Sequence, residues 1–225
     1  MTDIRSRSMV ARYLDPGSRM GEALFGLIMT LTFTLGAGIV IQEEGREGAR
    51  EMLIGILGCN LAWGIIDGIL YVLGQVFERG RLRRIGLAVR QAVSEEEARG
   101  AIAGELDESF AHLLDDDARH RLYQSVTDRV RRSPPLPDKV RREDVLGGLV
   151  AGLIVFACSF PALLPFLFID DLRLALRVSN VILLGLLFVV GWRAANHTLA
   201  RPWLSGLVFL LLGTLLVAMA IPLGG

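Results

Sequence analysis

The sequence predicts an all-α integral membrane protein with five transmembrane helices and a cytoplasmic helical hairpin between the second and the third. Three observations predict it. First, 52% of the 225 residues are hydrophobic and mean hydropathy is +0.47, yet 24 basic residues balance 24 acidic ones, so apolar and ionic residues must be segregated along the chain. Second, the apolar residues collect into five runs near or above the roughly 20 residues that cross a ~30 Å hydrocarbon layer. Third, four arginine clusters beside those runs fall on one side when the chain crosses five times, while the two charged loops on the other side are mixed in sign, as the retention of positive charge in the cytoplasm requires.

Residues 1–20 carry several charges and no short apolar stretch followed by a small-residue cleavage site, so nothing there reads as a signal peptide and the first helix is expected to direct its own insertion. The first run is Ala23 to Ile41, ended by a polar turn expected at Gln42 to Arg50. The second, Met52 to Phe77, is long enough to span with some tilt. The basic stretch Glu78 to Arg84 follows, then polar sequence to Asp144, then a third run from Val145 to Ile169, broken near its end by Pro161 and Pro165. The fourth, Val178 to Trp192, is short, but Leu172 to Ala175 extend it if Arg173 and Arg177 reach back to the interface. The fifth is Trp203 to Leu223, and Trp192 and Trp203 sit at run ends as interfacial aromatics do.

Arg5, Arg7, Arg12 and Arg19 precede the first run, Arg79, Arg81, Arg83 and Arg84 follow the second, Arg141 and Arg142 precede the third, and Arg193 and Arg201 lie between the fourth and fifth. The N-terminus is therefore expected in the cytoplasm and the C-terminus outside. The chain divides into 1–78 (N-terminal segment and two spans), 79–144 (cytoplasmic helical domain) and 145–225 (three spans). A bacterial inner membrane is the expected location, since no organellar targeting segment is visible. Cys59 and Cys158 both fall in apolar runs, where a thiol acts as a small hydrophobe, and they form neither a disulfide framework nor a metal motif.

Within 79–144, Ser94-Glu95-Glu96-Glu97 is a capping box. Apolar residues then recur at helical spacing at Ile102, Leu106, Phe110, Leu113 and Leu114. A second helix is expected from Asp115-Asp116-Asp117, where carboxylates suit the positive end of the dipole, to Arg129–Arg132, where cations suit the negative end. Pro134, Pro135 and Pro137 then stop it and make a stiff connector.

The second run holds the residues most suggestive of chemistry. Asn60, Gly64, Asp67 and Tyr71 share one helix face, and Asp67 lies near the bilayer midplane, where a carboxylate costs a few kcal/mol and marks an ion or proton path more often than a simple helix-helix hydrogen bond. Gly64 and Gly68 form a small-xxx-small pair, which predicts a close helix contact beside Asp67. On the first run Met29 is a possible soft ligand, with core packing its commoner use. Thr30, Thr32 and Thr34 are expected to bond their own backbone. Glu22 reads as a helix-start residue favoured by the dipole. In the charged segment Glu95 to Glu97, Glu105, Asp107, Glu108 and Asp115 to Asp117, with His112 and His120, could ligate divalent cations, although a solvated helix face accounts for them as well. Nucleophile triads, phosphate-binding Gly loops and aromatic-laced basic patches are absent, so neither an enzyme, a resident cofactor nor nucleic-acid binding is expected.

At these residues the chain resembles the vacuolar iron transporter family of divalent-metal/proton exchangers. GEALFGLIMTLTFTLGAG resembles the family's first helix, WGIIDG its second-helix M-G-x-G-E-Y, and FPALLPFLF its third-helix ending. The resemblance implies five spans, a cytoplasmic metal-binding helical domain, a homodimer in the lipid bilayer, and Fe2+ or Mn2+ as the transported divalent cation. It lays Asp67 on the family's membrane glutamate, with Asn60, Met29 and Tyr71 along the ion path, and Glu97, Glu105, Glu108 and Glu143 on the metal-binding carboxylates. Departures are Met29 where the family has an aspartate, Trp63 where it has a ligand methionine, and Ser94 where it has its first glutamate. Two functions are therefore expected to compete: proton-coupled export of a divalent metal from the cytoplasm, or a non-transporting membrane scaffold that keeps the fold and binds a partner through its hairpin.

Overall fold

Proline and short acidic caps punctuate this chain, and its helices begin and end where they dictate. The computed structural model describes residues 13–220 except 37, 111, 112, 136 and 138, and leaves out the side chains of 38–45, 108–110 and 220. Among the described residues there is helix and no strand: α1 (Pro16–Gly36), α2 (Gly38–Gln91), α3 (Glu95–Phe110), α4 (Asp116–Arg132), α5 (Arg142–Ala157), α6 (Phe160–Phe168), α7 (Leu172–Ala194), a 3-10 turn (Ala195–His197) and α8 (Pro202–Ala220). They form two compact units, one of residues 1–72 and 142–225, the other of 73–141.

In the first unit Asp15 caps α1, its Oδ1 accepting the Ser18 amide at 3.0 Å, and Pro16 takes the first helical position, where its missing N–H is no loss. The hydroxyl and amide of Ser18 hold the Asp15 carboxyl below its usual value. Pro161 separates α5 from α6: its ring excludes the carbonyl four residues back, that of Ala157, where α5 ends. Asp171 caps α7 by accepting from the amides of Arg173 and Leu174 at 2.9 and 3.0 Å, so Leu172 to Ala175 do extend the fourth run.

Leu27 and Leu31 of α1, Ala162 of α6, Leu183 and Leu187 of α7 and Val217 of α8 make one buried cluster. Lipid tails are as apolar as these side chains, so what stabilises the cluster in a bilayer is close packing more than exclusion of water.

Segments Arg46–Gln91, Arg142–Phe168, Leu172–His197 and Pro202–Met219 are each long and apolar enough to cross a membrane, and the chain is a membrane protein on that ground. The first of them, 46 residues, is about 69 Å long at 1.5 Å per residue, more than twice the hydrocarbon thickness, so part of it stands outside the bilayer. The run expected at Ala23 to Ile41 is not among the four. Arg19, Glu22 and three threonines lower the hydropathy of α1, and the run's apolar continuation passes through residue 37 and side chains 38–45, outside the described residues. The polar turn expected at Gln42 to Arg50 instead lies within the bounds of α2. Gln, Glu, Arg and Ala, good helix formers, outnumber the two glycines there.

The second unit holds the end of α2 with α3 and α4. Ser94 Oγ accepts the Glu97 amide at 3.1 Å while Glu97 Oε2 accepts the Val93 amide at 2.8 Å, a capping box displaced by one residue on its return bond. Asp115 caps α4, accepting from the Ala118 amide, and Ser133 closes it before Pro134. Val89 of α2, Ala98 and Ile102 of α3 and Tyr123 of α4 form the core. Leu113, read as part of the apolar face, is 75% exposed, because α3 ends at Phe110 before the periodicity reaches it.

Candidate functional site

The site is built where α1 crosses α2. Thr30 on α1 meets Asn60 on α2, and Glu22, two turns earlier on α1, meets Asp67, two turns later on α2; the helices therefore run antiparallel. Eight residues on one helix and seven on the other separate the two polar levels by about 11 Å at 1.5 Å per residue. Gly26 and Gly64 lie between them, each turned toward the chain of α5 and its end, while Phe25 and Trp63 pack edge-on across the same stretch.

Asn60 is wholly buried. Its Nδ2 donates to Thr30 Oγ1 at 2.8 Å and faces the carbonyls of Gly26 and Val155 at 3.5 and 3.4 Å, tying α1, α2 and α5 together; its Oδ1 is buried with no partner. The threonines behave as their position in a membrane helix predicts: Thr30, Thr32 and Thr34 donate to the carbonyls of Gly26, Ile28 and Leu31 at 2.8, 2.9 and 3.1 Å.

At the other level the Glu22 and Asp67 carboxyls lie close enough to interact electrostatically, and Asp67 Oδ2 is buried without a hydrogen-bond partner. Two carboxylates brought together repel, and a proton shared between them relieves that repulsion. Such a pair can release that proton and accept a cation in its place. Glu22 is not the helix-start residue expected from the dipole: α1 begins at Pro16, which puts Glu22 nearly two turns inside, on the face that meets α2. The signal was present in Asp15-Pro16, a capping residue followed by a proline suited to the first helical position.

Glycine sets how near the third wall stands. A Cβ on Gly64 would lie 2.5 Å from the carbonyl oxygen of Gly152, and one on Gly68 2.7 Å from that of Gly148. Gly64-xxx-Gly68 on α2 therefore faces Gly148-xxx-Gly152 on α5, backbone against backbone, as the small-residue pair beside Asp67 predicts. Tyr71 Oη donates to the Tyr13 carbonyl at 2.9 Å, and its ring covers Gly147, where a Cβ would meet it at 2.4 Å. Met29 lies two turns beyond Glu22 on the same face of α1, half-buried. Trp63 packs edge-on against Phe25, ring centroids 5.6 Å apart. On the opposite face of α2, Leu61, Ile65, Ile66, Ile69 and Leu70 are exposed, as lipid-facing residues are.

The carboxylates read as a metal set are placed differently. Glu97 is engaged by the Val93 amide, and Glu105 pairs with Arg81 at 2.6 Å. Glu143 is exposed in the first turn of α5. The Glu108 side chain and His112 lie outside the described residues. The Arg99 guanidinium faces the His120 ring, with Nη1 3.1 Å from Nδ1, and Asp107 accepts the Tyr123 hydroxyl. Among the described residues, no three of His, Cys, Asp and Glu come together as a metal site would need. Compared with known protein families and with curated proteins, the chain matches none.

Proposed function

We infer that this protein is a proton-coupled cation transporter whose exchange site is the Glu22–Asp67 pair. The observation that carries the reading is two carboxyls brought near each other between α1 and α2, one of them with a buried oxygen that has no hydrogen-bond partner. A cation entering displaces the shared proton, and reprotonation from the other side expels the cation, so each turnover exchanges the two. Asn60, Met29 and Tyr71 line the same helix pair above and below that point.

The form that the family resemblance implies is export of a divalent metal, Fe2+ or Mn2+, from the cytoplasm by a homodimer of five-span chains in a bacterial inner membrane. In that form the N-terminus is cytoplasmic, the C-terminus lies outside, and a cytoplasmic helical hairpin presents Glu97, Glu105, Glu108 and Glu143 to collect the metal. Purified protein in liposomes, with Mn2+ and pH followed by internal dyes, tests it. Wild type should move Mn2+ in with protons out, and Asp67→Asn and Glu22→Gln should each abolish both signals. Undiminished flux in Asp67→Asn would sink the mechanism.

A second reading, a non-transporting scaffold that binds a partner, is favoured by one observation: Glu97 and Glu105 already serve a helix cap and an ion pair with Arg81. Wild-type protein that moves neither Mn2+ nor protons would select it.

A further inference from the structure

The second unit contains a cleft of about 340 Å³ among the end of α2, α3 and α4, near the low end of the roughly 300–1,000 Å³ range of small-molecule sites. Its floor is apolar: Leu82 and Ile85 of α2, Ile102 of α3, Val126 and Val130 of α4, closed at one end by Pro134 and Pro135. Arginine dominates the rim. Arg83, Arg90 and Arg129 line it, against one carboxylate, Glu105, which an ion pair with Arg81 at 2.6 Å neutralises.

Arg90 is held in place, since its Nη2 donates to the carbonyls of Val130, at 2.9 Å, and Ser133, which close the last turn of α4. Both bonds described for Arg90 use Nη2, and its Nε and Nη1 can still donate to an anion. A guanidinium already fixed by other bonds loses little freedom on gripping an oxyanion in a fork geometry. An apolar floor in a cleft of about 340 Å³, with a positive rim at its edge, complements a molecule with one alkyl chain and one anionic head.

We propose that this cleft binds a single-chain fatty carboxylate, with the chain on the floor between α2 and α4 and the head against Arg90 and Arg129. The site is separate from the Glu22–Asp67 pair and stands whether or not the protein transports a cation.

The test uses the full chain in amphipol, titrated with a dansyl-labelled undecanoate whose emission shifts in an apolar site, and displaced by laurate or by uncharged dodecanol. Laurate should displace the probe at about tenfold lower concentration than dodecanol, the advantage of a charge-assisted hydrogen bond. Arg129→Gln should remove most of that advantage while leaving dodecanol displacement unchanged, which shows the unit still folded. Gly86→Phe, which grows a ring from α2 toward Val130, should abolish probe binding with an unchanged helical circular dichroism spectrum. Equal displacement by laurate and dodecanol, or displacement by an acidic amphipathic peptide but not by laurate, would overturn the proposal.

Discussion

Replacing Gly152 by alanine should destabilise the protein although alanine is the better helix former. A Cβ at residue 152 would lie 2.3 Å from the carbonyl oxygen of Gly64 and 2.9 Å from its carbon. Both atoms are backbone, so neither can swing aside as a flexible side chain would, and α2 and α5 must separate by about an ångström, enough to forfeit a quarter to a half of the dispersion energy at the contact. Overpacking of this kind costs about 1–3 kcal/mol, and a rigid obstacle belongs at the upper end. Alanine returns up to about 1 kcal/mol through helix propensity, which leaves a net loss of about 2 kcal/mol. Gly58→Ala is the control: nothing lies within 4 Å of its Cβ position, so the propensity term acts alone and the variant should be slightly more stable than wild type. Reversible unfolding by SDS in mixed micelles, followed by far-ultraviolet circular dichroism, measures both. If Gly152→Ala unfolds at the wild-type SDS fraction or above, the backbone contact between α2 and α5 is not what holds these helices together.

Two further outcomes concern the second unit. Ser94→Ala removes the acceptor for the Glu97 amide and should cost about 1 kcal/mol, read as faster hydrogen exchange in the first turn of α3 with α4 unaffected. The hydrogen bond to Asp107, the largest cause, raises the Tyr123 hydroxyl above its usual value. A raised pKa in the folded state means that the contribution to stability is complete below the unfolded value near 10 and disappears as pH rises through the folded one. Thermal melts of wild type should therefore lose stability above about pH 10 more steeply than those of Tyr123→Phe, and parallel curves would refute the assignment.

How much of this was readable in the sequence depends on whether the signal is local. Caps are local: Ser94, Asp115 and the Arg129–Arg132 terminus of α4 stand where their residue types place them. Gly64 and Gly68 declare a close contact by spacing alone, though nothing in that spacing names Gly148 and Gly152 as the partners. The threonines of α1 bond their own turns, whose carbonyls are the acceptors that a hydroxyl in an apolar helix always has at hand. Asp15-Pro16 made the place of Glu22 inside α1 readable, but its nearness to Asp67 was not, because that depends on how α2 is laid against α1. The acidic residues of α3 misled in the opposite direction. A spacing that suits metal ligands equally suits a cap at Glu97 and a cross-helix pair at Glu105, and only the position of Arg81 separates the two for Glu105.

The two features that define the α1–α2–α5 contact are not independent. At about 100° per residue, Asp67 and Asn60 lie within 20° of each other on α2, Gly64 falls about 40° to one side of Asn60 and Gly68 about 80°. One face narrower than a third of the circumference thus carries both the acid and the glycines, and it is wedged between two neighbours: α1 supplies Glu22 and Thr30, α5 supplies Gly148 and Gly152. Rotating α2 far enough to relieve Asp67 into a more polar setting would drag Gly64 and Gly68 off the α5 backbone and expose Asn60 to hydrocarbon. The acid is therefore held in the bundle by packing it takes no part in, and the helix cannot escape the cost of an ionised Asp67 by turning. In the proposed transport cycle the exchange of a proton for a cation takes place between Asp67 and Glu22, beside a helix contact that the glycines keep close.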